Sequence, residues 1–150
     1  MAPVTQEEVD RLMDELDANL DDEAKREALG VKAYTELFTA LPQHIDLFSR
    51  LRGLDAAQAI QSEDIKYYGL QACDGVLKVF RAAADDKKLS EILEQLGNSH
   101  VGWKVTRADF LSTAPGFTRF FKAIPQITEN KATMEKIMTH YINVVGNYLE

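Results

Sequence analysis

Apolar residues recur three and four positions apart along nearly the whole chain, which is the spacing of one helix face. No alternating run bounded by turns interrupts them, so the pattern predicts an all-α protein. A first helix starts at Thr5, where Thr5 and Glu8 form a capping box, and it buries Val9, Leu12, Met13, Leu16 and Leu20. Asp21 and Asp22 are placed to cap a second helix, running to about Leu41, whose inward face carries Val31, Tyr34, Leu37, Phe38 and Leu41. Pro42 ends it and opens a short helix through Phe48, and residues 51–60 read as an irregular connection. Ser62 begins the next helix, with Glu63 and Asp64 near its positive end and Ile65, Tyr68, Ala72, Val76, Val79 and Phe80 on its apolar face.

After a polar link at 82–88 comes a stripe of Leu89, Ile92, Leu93 and Leu96 that ends on His100, with Gly102 as a stop signal. Thr106 and Asp109 repeat the capping-box logic for a helix through Phe110, Ala114, Phe117, Phe121 and Ile124. Pro115 lies inside it and predicts a kink, and Pro125 ends it. The last helix, about 128–148, buries Met134, Ile137, Met138, Tyr141, Val144 and Val145. Gly30 and Gly69 interrupt two of these helices. Either each is tolerated, at about 1 kcal/mol relative to alanine, or the two mark a crossing where backbones nearly touch.

A chain of 150 residues without repeats or linkers is expected to form one domain. Its net charge of −7 is spread along the chain, which argues against nucleic acid or an anionic membrane as partner. Cys73 is the only cysteine, so an internal disulfide and a thiol-rich metal site are excluded. The start of the chain does not read as a signal peptide and no stretch is apolar enough to span a bilayer. A cytoplasmic monomer is the expectation. Of the candidate chemistry, His100 stands out, because an imidazole occupies the place of the next leucine on an apolar stripe. It is either a core histidine bonded to a neighbour or a ligand to something held in an apolar pocket, such as haem iron.

Taken in order, these features resemble a globin along almost the whole chain. Pro42 followed by Phe48 is similar to the short third helix of that family and the phenylalanine that wedges against the haem face. The run Ser-Glu-Asp-Ile-Lys-Tyr-Tyr-Gly at 62–69 is similar to the start of the globin E helix, and Leu-Gly-Asn-Ser-His at 96–100 to the end of the F helix with its proximal histidine. Gly30 and Gly69 fall where globins place small residues at the B/E crossing. Most vertebrate globins carry a distal histidine; here the position holds Tyr68, and the B-helix residue facing bound gas is Tyr34. Two distal tyrosines resemble the haemoglobins of parasitic flatworms, the trematodes.

The resemblance implies a non-covalent haem b (iron protoporphyrin IX), since no Cys-x-x-Cys-His attachment motif is present. It implies His100 as the axial ligand, with its other ring nitrogen donating to a carbonyl of its own helix or to Ser99. Phe48, Ala72, Val76, Leu96, Val105 and Phe110 would line the pocket; taken alone, each is better explained as ordinary core. The small Ala72 leaves room for gas and tyrosine rings. Arg50 and Lys66 are candidates for the haem propionates or else face solvent, and His44 and His140 read as surface or packing residues. A phenol is protonated at neutral pH and donates well to bound O2, which gathers negative charge, but only weakly to CO. A hydrogen bond to a charged group contributes about 1.5–3 kcal/mol. Two donors then slow O2 release by a factor on the order of a hundred to ten thousand. Tyr67 competes with Tyr68 for the distal place. The function implied is tight, reversible binding of O2, and of CO and NO, for storage, scavenging or transport. The alternatives are a haem enzyme, either NO dioxygenase or peroxidase-like, and a haem-free helical interaction module. Phenols are weak bases, which counts against an evolved peroxidase.

Overall fold

The computed structural model describes residues 1–122 and 127–150. Among the described residues it contains seven α-helices, two short 3-10 helices and no strand. Contacts group the chain into two compact units, Met1–Asn19 with Leu77–Glu150, and Leu20–Val76.

In the first unit, α1 (Gln6–Asp17) is closed at its start by Thr5, and both halves of the Thr5–Glu8 capping box are present. It buries Val9, Leu12, Met13 and Leu16 of the predicted stripe; Leu20, also buried, lies beyond its end. Helix α5 (Asp86–Gly102) is capped by the Asp85 carboxylate, which accepts from the Lys88 N–H at 3.1 Å. The expected polar link at 82–88 is therefore shorter: Asp86 to Lys88 form the first turn, and Ala82 and Ala83 are core residues. Helix α6 (Arg107–Lys122) opens on the predicted Thr106–Asp109 box and continues through Pro115, burying Phe110, Ala114 and Phe121. Ile124 and the stop expected at Pro125 lie outside the described residues.

Helix α7 (Lys131–Gly146) starts later than the apolar pattern suggests. The residues before it are tied instead to α1, because the Glu15 carboxylate accepts from the N–H and hydroxyl of Thr128 and from the Asn130 amide. Burial raises the Glu15 pKa, but these donors outweigh it and leave the group below the usual glutamate value. Met134, Ile137, Met138 and Val145 form the buried face of α7.

In the second unit, α2 (Glu23–Ala40) is capped by Asp22, and Pro42 occupies the first position of the 3-10 helix Pro42–Leu47. The stretch 51–60 is not irregular. It holds the end of a 3-10 turn (Ser49–Leu51) and most of α3 (Ala56–Gln61), which Asp55 and Gln58 start with a complete capping box. Aspartate does there what Ser or Thr does in the commoner form of that motif. Helix α4 (Asp64–Ala82) follows, with the Ser62 hydroxyl accepting the Asp64 N–H at 3.2 Å.

Helices α2 and α4 cross at Gly30 and Gly69. A Cβ on Gly30 would lie 1.9 Å from the Gly69 carbonyl oxygen, and one on Gly69 would lie 2.7 Å from the Val31 nitrogen. Of the two readings of this glycine pair, the backbone crossing is the one observed. Arg26 of α2 adds an ion pair to Asp74 of α4 at 2.8 Å.

Candidate functional site

His100 sits in the last turn of α5. Its Nδ1 is 2.6 Å from the Leu96 carbonyl oxygen. A carbonyl only accepts, so Nδ1 carries the proton and Nε2 carries the lone pair. The ring stands edge-on to Phe110, with centroids 5.3 Å apart, and tilted against Trp103 at 5.0 Å. Burial pushes the imidazole pKa below its ordinary value, and the bond to Leu96 opposes that only in part. His100 is thus a neutral imidazole with a fixed tautomer, and among the described residues no hydrogen bond occupies its Nε2.

The backbone after His100 locks it in place. Lys104 takes a left-handed conformation (φ 61°), the Val105 N–H donates to the His100 carbonyl at 3.1 Å, and the Lys104 N–H donates to the Val101 carbonyl at 3.0 Å. These are the two bonds of a Schellman motif. The helix stops at Gly102 as expected, but the left-handed residue that closes it is Lys104, two residues on. The Thr106–Asp109 box that starts α6 follows at once and fixes where the chain must turn. One turn before His100, Gly97 is buried, and a Cβ there would meet the Tyr148 ring at 2.5 Å. Sequence reasoning missed Gly97, Trp103, Lys104 and Tyr148. A helix-interior glycine three residues before the candidate ligand was the one signal available.

In the second unit, Phe48 gathers the predicted aromatic residues. Its ring stands edge-on to Tyr34 at 5.2 Å, to Tyr68 at 4.9 Å and to Phe38 at 5.3 Å. Tyr34 is buried and Tyr68 is part-buried, whereas the competing Tyr67 is 41% exposed. Ala72 and Val76, both part-buried, follow Tyr68 at one-turn intervals along the same face of α4. The Tyr68 hydroxyl accepts the Arg50 backbone N–H at 3.1 Å and lies 3.4 Å from the Ser49 hydroxyl.

The Arg50 guanidinium lies 3.7 Å above the Tyr67 ring and 3.8 Å from the Asp64 carboxylate, and Lys66 pairs with Glu63 at 3.0 Å. Both cations considered for propionates therefore have acidic neighbours on the surface, in pairs worth little each. His44 is buried in the second unit and His140 is half-buried on α7.

The donor set narrows the ligand chemistry. Among the described residues no cluster of three or more His, Cys, Asp or Glu is placed to hold a metal. Cys73 is buried, and burial pushes its thiol up to about 11, so it is inert near neutrality. What remains is a single neutral imidazole among aromatic rings. That fits a metal whose other ligands arrive with it, as in a porphyrin. Among the described residues no helix is long and apolar enough to cross a membrane.

Known proteins agree with this reading of the fold. The family profile described as Globin matches residues 31–149. A globin of Isoparorchis hypselobagri is 32% identical over 147 residues, covering 97% of this chain and 99% of its own. A globin of Dicrocoelium dendriticum is 34% identical over 146 residues, covering 97% and 96%. Both organisms are trematodes. Ferric Aplysia limacina myoglobin superposes with a TM-score of 0.81 at 20% identity, covering 98% of this chain and 99% of that one. A double mutant of the same myoglobin gives 0.78 at 22%, covering 95% and 96%. At such identities the likeness shows the fold, and the family is shown by the profile and by relatives matched along nearly all their length. The chain belongs to the globin family of haem proteins.

Proposed function

We propose that this globin binds O2 reversibly and tightly on a non-covalent haem b, as a store, scavenger or carrier. His100 would hold the haem iron, and Tyr34 and Tyr68 would donate hydrogen bonds to the gas. The observation that carries the proposal is the His100 tautomer, in which Nδ1–H is committed to Leu96 and Nε2 is left to coordinate. Haem, when bound, supplies the ferrous iron to which a diatomic gas attaches. His100 would hold that iron through Nε2, and the Leu96 carbonyl keeps the imidazole in one orientation and raises its basicity. Phe48 positions both phenols by edge contacts. Phe48, Ala72, Val76, Leu96, Val105 and Phe110 are the apolar residues assigned to the lining, and around bound haem they would exclude water and so slow oxidation of the ferrous form. Arg50, paired with Asp64, is a weaker candidate for a propionate.

The two phenols are not equivalent. The Tyr68 oxygen accepts the Arg50 N–H, which leaves its own proton to donate to the gas from that position. Tyr34 is the more buried of the two, and a hydrogen bond made away from water is the stronger one, so Tyr34 is the stronger expected donor. Flash photolysis and stopped-flow on the haem-loaded protein test this. Tyr34→Phe is expected to speed O2 release by roughly ten- to a hundredfold, the equivalent of one hydrogen bond to a charged acceptor. Tyr68→Phe is expected to speed it less, and CO release is expected to change little in either variant. Unchanged O2 off-rates in both variants contradict the distal assignment.

A further inference from the structure

Apart from Met1, the large apolar side chains exposed in the first unit, among the described residues, gather around the turn between α5 and α6. Val101 is 51% exposed, Trp103 56%, Leu111 47% and Tyr148 40%. The Tyr148 ring covers Gly97, one turn before Val101 on the same face of α5, and Leu111 lies against Gly146, two residues before Tyr148. Exposed apolar groups gathered in this way mark a surface that something covers. Between them stand Lys104 and Arg107, both exposed, and among the described residues neither is ion-paired. Residues 101–108 contain no acid. The Asp109 carboxylate that follows accepts the Thr106 N–H, and Glu150, joined to the Arg107 N–H at 2.9 Å, is an acid at the rim.

The main chain of the turn narrows the choice of occupant. Its N–H groups from 103 to 107 all donate within the chain: Trp103 to Ser99, Lys104 to Val101, Val105 to His100, Thr106 to Asp109 and Arg107 to Glu150. These N–H groups ask nothing of a partner, so withdrawing water from the turn costs them little. The indole is also braced, with its ring 5.0 Å from that of His100, so little freedom is lost when it is covered. Trp and Tyr carry an apolar body with a polar tip, and Lys and Arg bury an aliphatic stem while the charge stays in water. Both kinds of side chain suit the boundary between lipid tails and headgroups. We propose that this turn docks the protein peripherally on a bilayer of anionic phospholipid. Val101 and Trp103 enter the headgroup boundary, and Lys104 and Arg107 face the lipid phosphates. The net charge of −7 argues against such a surface for the chain as a whole, but this face has the opposite sign. Repulsion of the remaining surface therefore orients the protein with this face toward the lipid. With two cations carrying the attraction, binding is weak and sensitive to salt.

The test sediments the haem-loaded protein with vesicles of phosphatidylcholine, alone or mixed with phosphatidylserine, at low and at high salt. The expected result is a pelleted fraction severalfold larger with phosphatidylserine, falling to the vesicle-free level at high salt. Trp103→Ser and Val101→Ser are each expected to lower that fraction severalfold. Lys104→Asn, which removes the charge but tolerates the left-handed backbone, is expected to reduce the preference for phosphatidylserine. Val101→Ser alters an exposed side chain and leaves the Trp103–His100 contact in place, so it decides the matter if Trp103→Ser fails to take up haem. The proposal is overturned by pelleting no greater than without vesicles, by equal pelleting with both kinds of vesicle, or by pelleting unchanged in Val101→Ser. Self-association in sedimentation velocity that Val101→Ser abolishes, without vesicle binding, also overturns it and gives this face to a second copy of the chain.

Discussion

At the scale of single residues, His100 and Lys104 carry the sharpest consequences. The folded chain holds His100 below its ordinary pKa, so between that value and about 6.5 the unfolded chain binds more protons than the folded one. The stabilisation is complete above about pH 6.5 and is lost as pH falls through the folded value. In the haem-free protein, the urea midpoint is expected to drop between pH 7.5 and 5.5, and His100→Gln is expected to flatten that drop. Glu8 and Glu15, both lowered, act in a separate window: their contribution is lost only as pH falls below about 4.5. Lys104 is a non-glycine residue in a left-handed conformation. Lys104→Gly is expected to raise unfolding free energy by about 1 kcal/mol, read from the same denaturation curves, by removing the Cβ clash. A stability unchanged or lowered by that substitution would show that the lysine side chain itself supports the turn.

Helices are decided by their ends and their crossings, and these differ in how legible they are. The Thr5–Glu8 and Thr106–Asp109 boxes were readable because a capping box is a local pattern of four residues. The Asp55–Gln58 box is equally local but departs from the commoner form, with Asp in place of Ser or Thr at the cap. The left-handed turn at Lys104 was not readable, since nothing in a lysine announces it and Gly102 stood close by as a decoy. The bond from the Arg50 N–H to Tyr68 joins residues 18 apart and depends on the fold, so the sequence supplied the tyrosine but not what holds its oxygen. Gly30 and Gly69 were visible as a coincidence, and the fold turns that coincidence into contact. Gly30→Ala is expected to cost about 3 kcal/mol or more, because the clash is with backbone that has nowhere to yield. Gly75 has nothing within 4 Å of its added Cβ, so Gly75→Ala is expected to stabilise α4 by about 0.5–1 kcal/mol. Equal effects of the two substitutions on the urea midpoint would contradict the crossing.

For the whole molecule, composition set limits that the structure and its relatives then filled. A net charge of −7 and one inert cysteine turned attention from nucleic acid and thiol chemistry to the single unusual imidazole. The family is established along nearly the full chain, whereas the distal roles proposed for Tyr34 and Tyr68 rest on particular side chains. All of the proposed chemistry depends on His100 coordinating haem through Nε2. The most direct test is the absorption spectrum of the ferrous, gas-free protein with haem, for the parent chain and for His100→Gly with and without added imidazole. The account predicts a five-coordinate histidine-type spectrum for the parent, its loss in His100→Gly, and its return when imidazole occupies the vacated place. A parent-like spectrum in His100→Gly without imidazole would contradict it.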